Sequence, residues 1–157
     1  MIMHSASQTP EELLQAFAAT EYRVRIAGGE HVLHPGRRHA SLDAALGNRA
    51  WAVVTAFNPQ ARRLDEAGNR RRQQELLAAL AHTGQDTHPA VNRDPEAAWP
   101  DEIAVLIVEI GMADLDKLAR EFDQAAVVTG RPGEPARLRL YGESWPQTMP
   151  QWADKVS

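Results

Sequence analysis

The sequence predicts a single α+β domain with a ferredoxin-like core, the split βαβ arrangement of strands and helices. From Trp51 onward, strand and helix patterns follow each other in the order β-α-β-β-α-β. The segment IAVLIVEI at 103–110 is too uniformly apolar to be half exposed, which indicates a buried strand. Leu115, Leu118 and Phe122 then fall on one face of a helix. We therefore expect helices packed on one face of a mixed sheet.

An N-terminal helix and a β-hairpin precede this core. Thr9 and Pro10 have the pattern of a helix N-cap followed by proline at the first helical position. Apolar and charged residues alternate over 21–26, and Gly28–Gly29 then offer a permissive two-residue turn, which predicts a hairpin. Ser41 is expected to cap a further short helix.

The expected core elements are strands at 51–57, 89–92, 103–110, 125–129 and 138–141, a helix at 65–82 and a second helix capped by Asp114. The strand at 89–92 is the least regular, because it lies in a stretch with glycine and prolines. Without it, the core would be another α+β arrangement with helices on one face of a mixed sheet. Residues 20–140 form the expected compact core. Residues 1–8 and the aperiodic tail at 142–157 are expected to be irregular.

The bulk composition fits one folded domain spanning 1–157. A chain of 157 residues can bury roughly two-thirds of the surface that its unfolded form exposes. Hydrophobic residues make up 43% and charged residues 24%, close to the average of globular proteins, which argues against wholesale disorder. The net charge of -4 argues against nucleic-acid binding, because phosphate neutralisation needs a basic surface.

The sequence also indicates in which cellular compartment the protein is expected. It contains no cysteine, which excludes disulfide bonds and thiolate metal sites and fits a reducing environment. The N-terminal segment MIMHSASQTPEE lacks the basic and apolar regions of a signal peptide. No stretch approaches the roughly 18 apolar residues of a membrane span. We therefore expect a cytoplasmic protein with no membrane contact.

A cluster of amide side chains interrupts the apolar pattern where the first core strand meets the long helix. Leu76 and Leu80 mark the buried face of that helix, and steps of three and four residues towards its N-terminus reach Gln73 and Asn69. Asn58 lies just beyond the strand, so we expect the three amides to converge. Burying such groups without partners would cost roughly 1–3 kcal/mol each.

Two interpretations of this cluster remain open. The amides either satisfy one another and the loop, or line a ligand pocket, because a strand end beside a helix N-terminus favours anions. Arg62 and Arg63 lie in the loop and could contact phosphate or carboxylate groups. Arg70 and Arg71 are expected to point into solvent.

At these residues the sequence resembles a bacterial family known as domain of unknown function 3293. The resemblance rests on a tryptophan-led strand running into Thr55–Pro59, the helical segment Asn69–Leu76, Trp99 before the second apolar strand, and the segment Phe122–Ala126. It covers roughly residues 20 to 140. The resemblance implies a shared compact domain and no assigned activity. It also adds Gln124, a polar residue at the start of a buried strand, to the candidate pocket.

Other chemical sites have weaker patterns. His31 and His34 would point to opposite faces of a strand, and no carboxylate joins them at a recognisable interval, so we predict no metal site. Glu109 is either a buried carboxylate with a raised pKa or a residue at the rim of the sheet. The P-loop, the Rossmann glycine motif and the serine nucleophile elbow are all absent from the sequence. The sequence therefore predicts no cofactor and leaves catalysis open.

We expect a small soluble binding or regulatory module with a polar, arginine-edged pocket for an anionic small molecule, such as a nucleotide or a phosphorylated metabolite. The candidate ligand-binding residues are Asn58, Arg62, Arg63, Asn69, Gln73 and Gln124. The alternative is a protein–protein interaction module without catalytic activity, contacting a partner or a second copy of the chain. In that case the amide cluster is architectural.

Overall fold

The computed structural model describes residues 8–156, so the predicted irregularity of residues 1–7 and of residue 157 concerns positions outside the described part. The helices are α1 (Pro10–Ala19), α2 (Ala40–Ala45), α3 (Glu66–Ala81) and α4 (Met112–Glu121). The strands are β1 (Glu21–Ile26), β2 (Gly29–Leu33), β3 (Trp51–Val54), β4 (Thr87–Arg93), β5 (Glu102–Val108), β6 (Ala126–Gly130), β7 (Arg137–Leu140) and β8 (Ala153–Lys155). The predicted α+β class is therefore confirmed.

The eight strands form one mixed sheet in the order β2-β1-β4-β5-β3-β6-β7-β8. Neighbouring strands are antiparallel, except β7 and β8, which are parallel. The strand β4, the least regular in the sequence, is present and pairs with both β1 and β5. The sheet curls, and the loop after β2 meets the start of β7. Gly36 N donates to Ala136 O at 2.7 Å, and Ala136 N donates to Arg37 O at 2.8 Å.

Both faces of the sheet are covered. Along β5, successive side chains point to opposite faces, so that Ala104 and Leu106 join one apolar cluster and Val105 and Ile107 join another. The helices α3 and α4 contribute Leu76, Leu80, Leu115 and Leu118 to the second cluster. The helices α1 and α2 contribute Leu14, Phe17 and Leu42 to the first, together with Leu46 directly after α2. Burial on both faces explains why β5 reads as a continuous apolar run.

The hairpin turn lies one residue earlier than predicted. Gly29 pairs with Ile26 and belongs to β2, so the turn residues are Ala27 and Gly28 rather than Gly28 and Gly29. Their φ angles are 47° and 80°, the positive values that a two-residue turn between twisted strands requires at both positions.

Two predicted helix caps are wrong. The N-cap of α2 is His39, and Ser41 lies inside the helix. The N-cap of α4 is Gly111, and Asp114 lies in the first turn. Neither His39 nor Gly111 makes a side-chain capping bond. Both helices therefore begin without the hydroxyl or carboxylate cap that the sequence pattern predicts.

The segment after β7 adds a strand that the sequence did not indicate. Ala153–Lys155 form β8, beside Leu138–Leu140 of β7. The chain is anchored on the way by Trp145, which is 9% exposed and whose Nε1 donates to Tyr141 O at 2.7 Å. A single buried tryptophan in an irregular segment produces no sequence period, so the pattern gave no sign of a strand here.

Gly130 is expected to tolerate no larger side chain. It lies opposite Trp51 in the β3–β6 pair, and a Cβ atom at Gly130 would overlap the Trp51 ring. Because Trp51 is buried in the core, the ring has little room to move aside. We expect Gly130→Ala to lower the free energy of unfolding by about 1–3 kcal/mol in urea denaturation, the usual cost of overpacking.

Gly29→Ala is the matched control, because its Cβ atom would meet Ile26 O at an ordinary 3.5 Å. A Gly130→Ala variant as stable as this control would contradict the packing argument.

Candidate functional site

Beyond β3 the chain stays buried, but its backbone pairs with no strand of the described residues. β3 ends at Val54, although the sequence pattern extends to Phe57. Side chains from α3 take the place of a partner strand. The N–H of Ala56 donates to Gln73 Oε1 at 2.9 Å, and Ala56 O accepts from Arg72 Nε at 3.1 Å. Polar residues therefore occupy this part of the helix face because they satisfy backbone groups that the sheet does not reach.

Gln124, which follows α4, and Arg72 of α3 link the segment after β3 to the end of α4. Gln124 Nε2 donates to Phe57 O at 3.2 Å and to Phe122 O at 3.0 Å. The Arg72 guanidinium donates to Phe122 O at 2.6 Å and lies 3.6 Å from the Asp123 carboxylate. The end of β3, the helix α3 and the end of α4 are thereby tied together.

Asn58 is the centre of a buried hydrogen-bond network. Its N–H donates to Asn69 Oδ1 at 2.8 Å, and its Oδ1 accepts from Asn69 Nδ2 at 2.9 Å and from Leu64 N at 3.0 Å. Its Nδ2 donates to Glu102 Oε2 at 2.7 Å. Asn58 and Asn69 are each 5% exposed. The expected convergence of these amides is therefore observed, and most of their hydrogen-bonding groups have partners within the domain.

The loop that follows has a strained backbone. Asn58, Gln60 and Ala61 have φ angles of 49°, 55° and 59°, a left-handed conformation that asparagine tolerates and the other two rarely adopt. Each such residue costs on the order of 1–3 kcal/mol. Gln60 N donates to Asp123 O at 2.6 Å, and Ala61 N donates to Asn58 O at 3.0 Å. These bonds, together with the Asn58–Asn69 pair, hold the loop in place.

Sequence reasoning missed Glu102, the most buried carboxylate of the described residues at 0% exposure. Its side chain accepts from Asn58 Nδ2 and, at 3.4 Å, from Asn92 Nδ2. Burial, and next the charge of Glu102, raises the pKa of Tyr22, whose hydroxyl donates to Phe17 O at 2.7 Å. Within residues 8–156, the buried atoms Gln73 Nε2 and Asn92 Oδ1 have no hydrogen-bond partner.

Five of the six predicted ligand-binding residues line one of two cavities. Asn58, Arg63 and Asn69 line a cavity of about 210 Å³, which we call the asparagine cavity. Arg62 and Gln124 line a separate cavity of about 440 Å³, which we call the tyrosine cavity after Tyr141 in its wall. Gln73 lines neither of them. A single pocket shared by all six is therefore not observed, and their contact with a ligand stays a prediction.

The tyrosine cavity combines charged and aromatic side chains. Arg62, Arg120 and Gln124 line it together with Tyr141 and Trp145. The Arg120 guanidinium carbon lies 5.7 Å from the centre of the Tyr141 ring, within the range of a cation–π contact. Such a surface can bind an anion and an apolar ring at the same time.

A half-buried ion pair holds the Tyr141 hydroxyl in place. Asp116 accepts two hydrogen bonds from Arg139, each at 2.7 Å, and a third from the Tyr141 hydroxyl at 2.7 Å. Hydrogen bonds from Arg139, and then from Tyr141, hold the pKa of Asp116 below its ordinary value although burial opposes them. Burial and the Asp116 carboxylate raise the pKa of Tyr141, so its hydroxyl stays protonated at neutral pH.

The remaining candidates do not form a chemical site. His39 Nε2 accepts from His34 N at 3.2 Å, and burial is the main reason that the pKa of each imidazole is lowered. Among residues 8–156 no group of three or more histidine, aspartate or glutamate side chains could hold a metal ion. Glu109 is exposed at the rim of the sheet, with φ of 58°, and is not the buried carboxylate considered from the sequence.

Residues 54–127 match the model of a family described as a protein of unknown function, DUF3293. This segment is similar to that family. The resemblance noted in the sequence is therefore confirmed, over a narrower range than residues 20–140. The DUF3293 segment includes α3, β4, β5, α4 and the strained loop. No curated protein and no solved structure matches the chain. Within the described part of the chain, no helix has the length and apolar character that crossing a membrane requires.

Asn69→Ala is expected to destabilise the domain through the loop. The change would leave the buried N–H of Asn58 without its acceptor and Leu64 O without the donor at 3.2 Å. Since an orphaned buried group costs about 1–3 kcal/mol, we expect the free energy of unfolding to fall by about 2–4 kcal/mol. Urea denaturation measures this loss. Gln74→Ala, on the exposed face of α3, is the control, and equal stability of the two variants would contradict the network.

Asp116→Asn is expected to change how the free energy of unfolding depends on pH in the acid range. The folded pKa of Asp116 is depressed, so its stabilising contribution is present above the unfolded pKa and is lost as the pH falls through the folded pKa. The variant should therefore be less stable than the wild type at pH 7, and the difference should shrink below about pH 4. Urea midpoints at several pH values test this. A constant difference, or an equal effect of Asp114→Asn on the exposed side of α4, would contradict it.

Proposed function

We propose that the protein is a small-molecule binding module whose ligand, an anion such as a nucleotide or another phosphorylated metabolite, occupies the tyrosine cavity. Arg62 and Arg120 would meet the charge, Gln124 would orient the ligand, and Tyr141 and Trp145 would contact its apolar part. The observation that carries the proposal is that Arg62, which has no side-chain partner among residues 8–156, lies on a strained, hydrogen-bonded loop at a cavity of suitable size.

Volume favours the tyrosine cavity over the asparagine cavity as the ligand site. Ligand sites of proteins usually enclose about 300–1,000 Å³. The tyrosine cavity, at about 440 Å³, lies within that range, whereas the asparagine cavity, at about 210 Å³, is below it. A nucleoside monophosphate or a sugar phosphate therefore suits the tyrosine cavity.

Charge favours an anion. The Arg62 side chain is exposed and has neither a hydrogen bond nor an ion pair among residues 8–156. Of the two carboxylates that line the cavity, Asp123 lies 3.6 Å from Arg72, which leaves Glu143 as the one opposed to Arg62 and Arg120. Guanidinium groups bind phosphate in a bidentate manner, which gives direction as well as affinity.

The strained loop supports the same interpretation. Residues in rarely populated backbone conformations persist only where surrounding contacts enforce them, and they are frequent at ligand sites. Here the Asn58–Asn69 network enforces the conformation, and the residue directly after Ala61 is Arg62. The amide cluster would then serve the ligand indirectly, by fixing the arginine. The strand order β4-β5-β3-β6, with α3 and α4 on one face, supports assigning this core to the ferredoxin-like folds.

A protein-interaction module without chemistry is the second candidate. The amide network finds its partners inside the domain, as an architectural role requires. The strand β2 lies at an edge of the sheet, where another chain could add a strand.

Thermal denaturation with a panel of compounds tests the first proposal. A ligand at a hundred times its dissociation constant adds about 2.7 kcal/mol of stability, or roughly 5–10 °C in melting temperature for a domain of this size. We expect such a shift with adenosine monophosphate or a sugar phosphate, a much smaller shift with adenosine, and loss of the shift in Arg62→Ala. Arg71→Ala, an exposed arginine on α3, is the matched control.

The proposal would be overturned by a panel in which no phosphorylated compound raises the melting temperature, or by Arg62→Ala and Arg71→Ala responding alike. No response from the wild type, combined with strong destabilisation by Asn69→Ala, would favour the interaction module.

A further inference from the structure

A second hollow adjoins the asparagine cavity on its outer side. This Trp99 cavity, of about 480 Å³, is lined by the turn that leads from β4 to β5 and by Arg63. The asparagine cavity and the Trp99 cavity share Arg63, Pro100 and Asp101 in their walls. The two cavities are therefore adjacent, with Arg63 in the wall of both, and we call them together the groove. Every residue lining the groove lies within the DUF3293 segment.

Two residues that line the groove have side-chain donors with no partner among the described residues. The exposed Arg63 side chain makes no hydrogen bond or ion pair with any described residue, and the half-buried Trp99 has no hydrogen bond to its indole N–H within residues 8–156. The other arginines are engaged: Arg93 lies 2.7 Å from Asp101, and Arg70 lies 3.0 Å from Glu66. A guanidinium and an indole N–H that have no acceptor among the described residues can both donate to an oxyanion.

The inner part of the groove is suited to a small ring. Phe57, Leu64, Pro100 and Ile103 supply apolar walls to the asparagine cavity. An apolar protein cavity of about 150 Å³ holds benzene, so about 210 Å³ accommodates a six-membered ring with a short substituent. The amides of Asn58 and Asn69 beside it already bond to each other and to Leu64.

We propose that this groove is a second ligand site, which binds a compact aryl oxyanion. The ring occupies the asparagine cavity, and the carboxylate or phosphate accepts hydrogen bonds from Arg63 and from the Trp99 indole. The site is independent of the one proposed in the tyrosine cavity, because the two cavities share no lining residue.

Isothermal titration calorimetry with four probes tests this site. Benzoate and phenyl phosphate carry both a ring and an oxyanion and distinguish the two head groups, whereas benzyl alcohol lacks the anion and acetate lacks the ring. We expect saturable binding of benzoate or phenyl phosphate and weaker binding of both controls. Arg63→Ala should weaken binding roughly ten- to hundred-fold, since it removes charged hydrogen bonds, and Trp99→Phe should weaken it roughly three- to ten-fold.

Arg71→Ala is the control and should leave the affinity unchanged, whereas Arg62→Ala tells binding in the groove from binding in the tyrosine cavity. Trp99→Phe retains the ring and tests the site if Arg63→Ala proves unstable. The proposal is overturned if neither aryl oxyanion binds saturably, if Arg63→Ala and Trp99→Phe bind as the wild type does, or if Arg62→Ala weakens binding as much as Arg63→Ala. The last result would place the probe in the tyrosine cavity.

Discussion

The candidate site depends on one constraint: the backbone of residues 55–58 is buried, yet it pairs with no strand in the described part of the chain. Buried N–H and C=O groups need partners, and Gln73, Arg72 and Gln124 supply them. The helix α3 is consequently joined to the sheet in two ways. Its N-terminal half contributes hydrogen bonds, and its C-terminal half contributes Leu76 and Leu80 to the apolar cluster. A helix face that changes from polar to apolar along its length is the outcome.

The same constraint affects where the side chains of Arg62 and Arg63 lie. The loop after Asn58 keeps its left-handed residues because both of its ends are fixed, one by Asn69 and the other by the N-cap of α3. In a rigid loop, consecutive side chains keep different directions. Arg62 and Arg63 therefore line different cavities, although they are adjacent in sequence. A mobile loop would let both guanidinium groups sample the same solvent and would define neither surface.

Local patterns were enough to predict the element order of the core and the convergence of the amides, because both depend on periodicity and on polar residues at apolar positions. Long-range contacts were not predictable in this way. Glu102 directly precedes an apolar run and looks like a solvated flank, and Arg72 looks like any charge on a helix surface. The strand β8 is three residues long and depends on pairing with β7. The sequence also does not show that Arg62 and Arg63 line different cavities, because the left-handed residues just before them leave no recognisable residue pattern.

The segment that matches the family is shorter than the set of strands and helices that packs into this domain. The segment 54–127 includes only the last residue of β3 and the first two of β6, and it lacks α1 and α2. An excised fragment with these limits would leave one side of β5 unpaired and Leu106 uncovered. A long apolar strand edge of that kind invites aggregation. A truncated form of this domain therefore has to keep whole strands, because a fragment limited to residues 54–127 would aggregate before its binding could be measured.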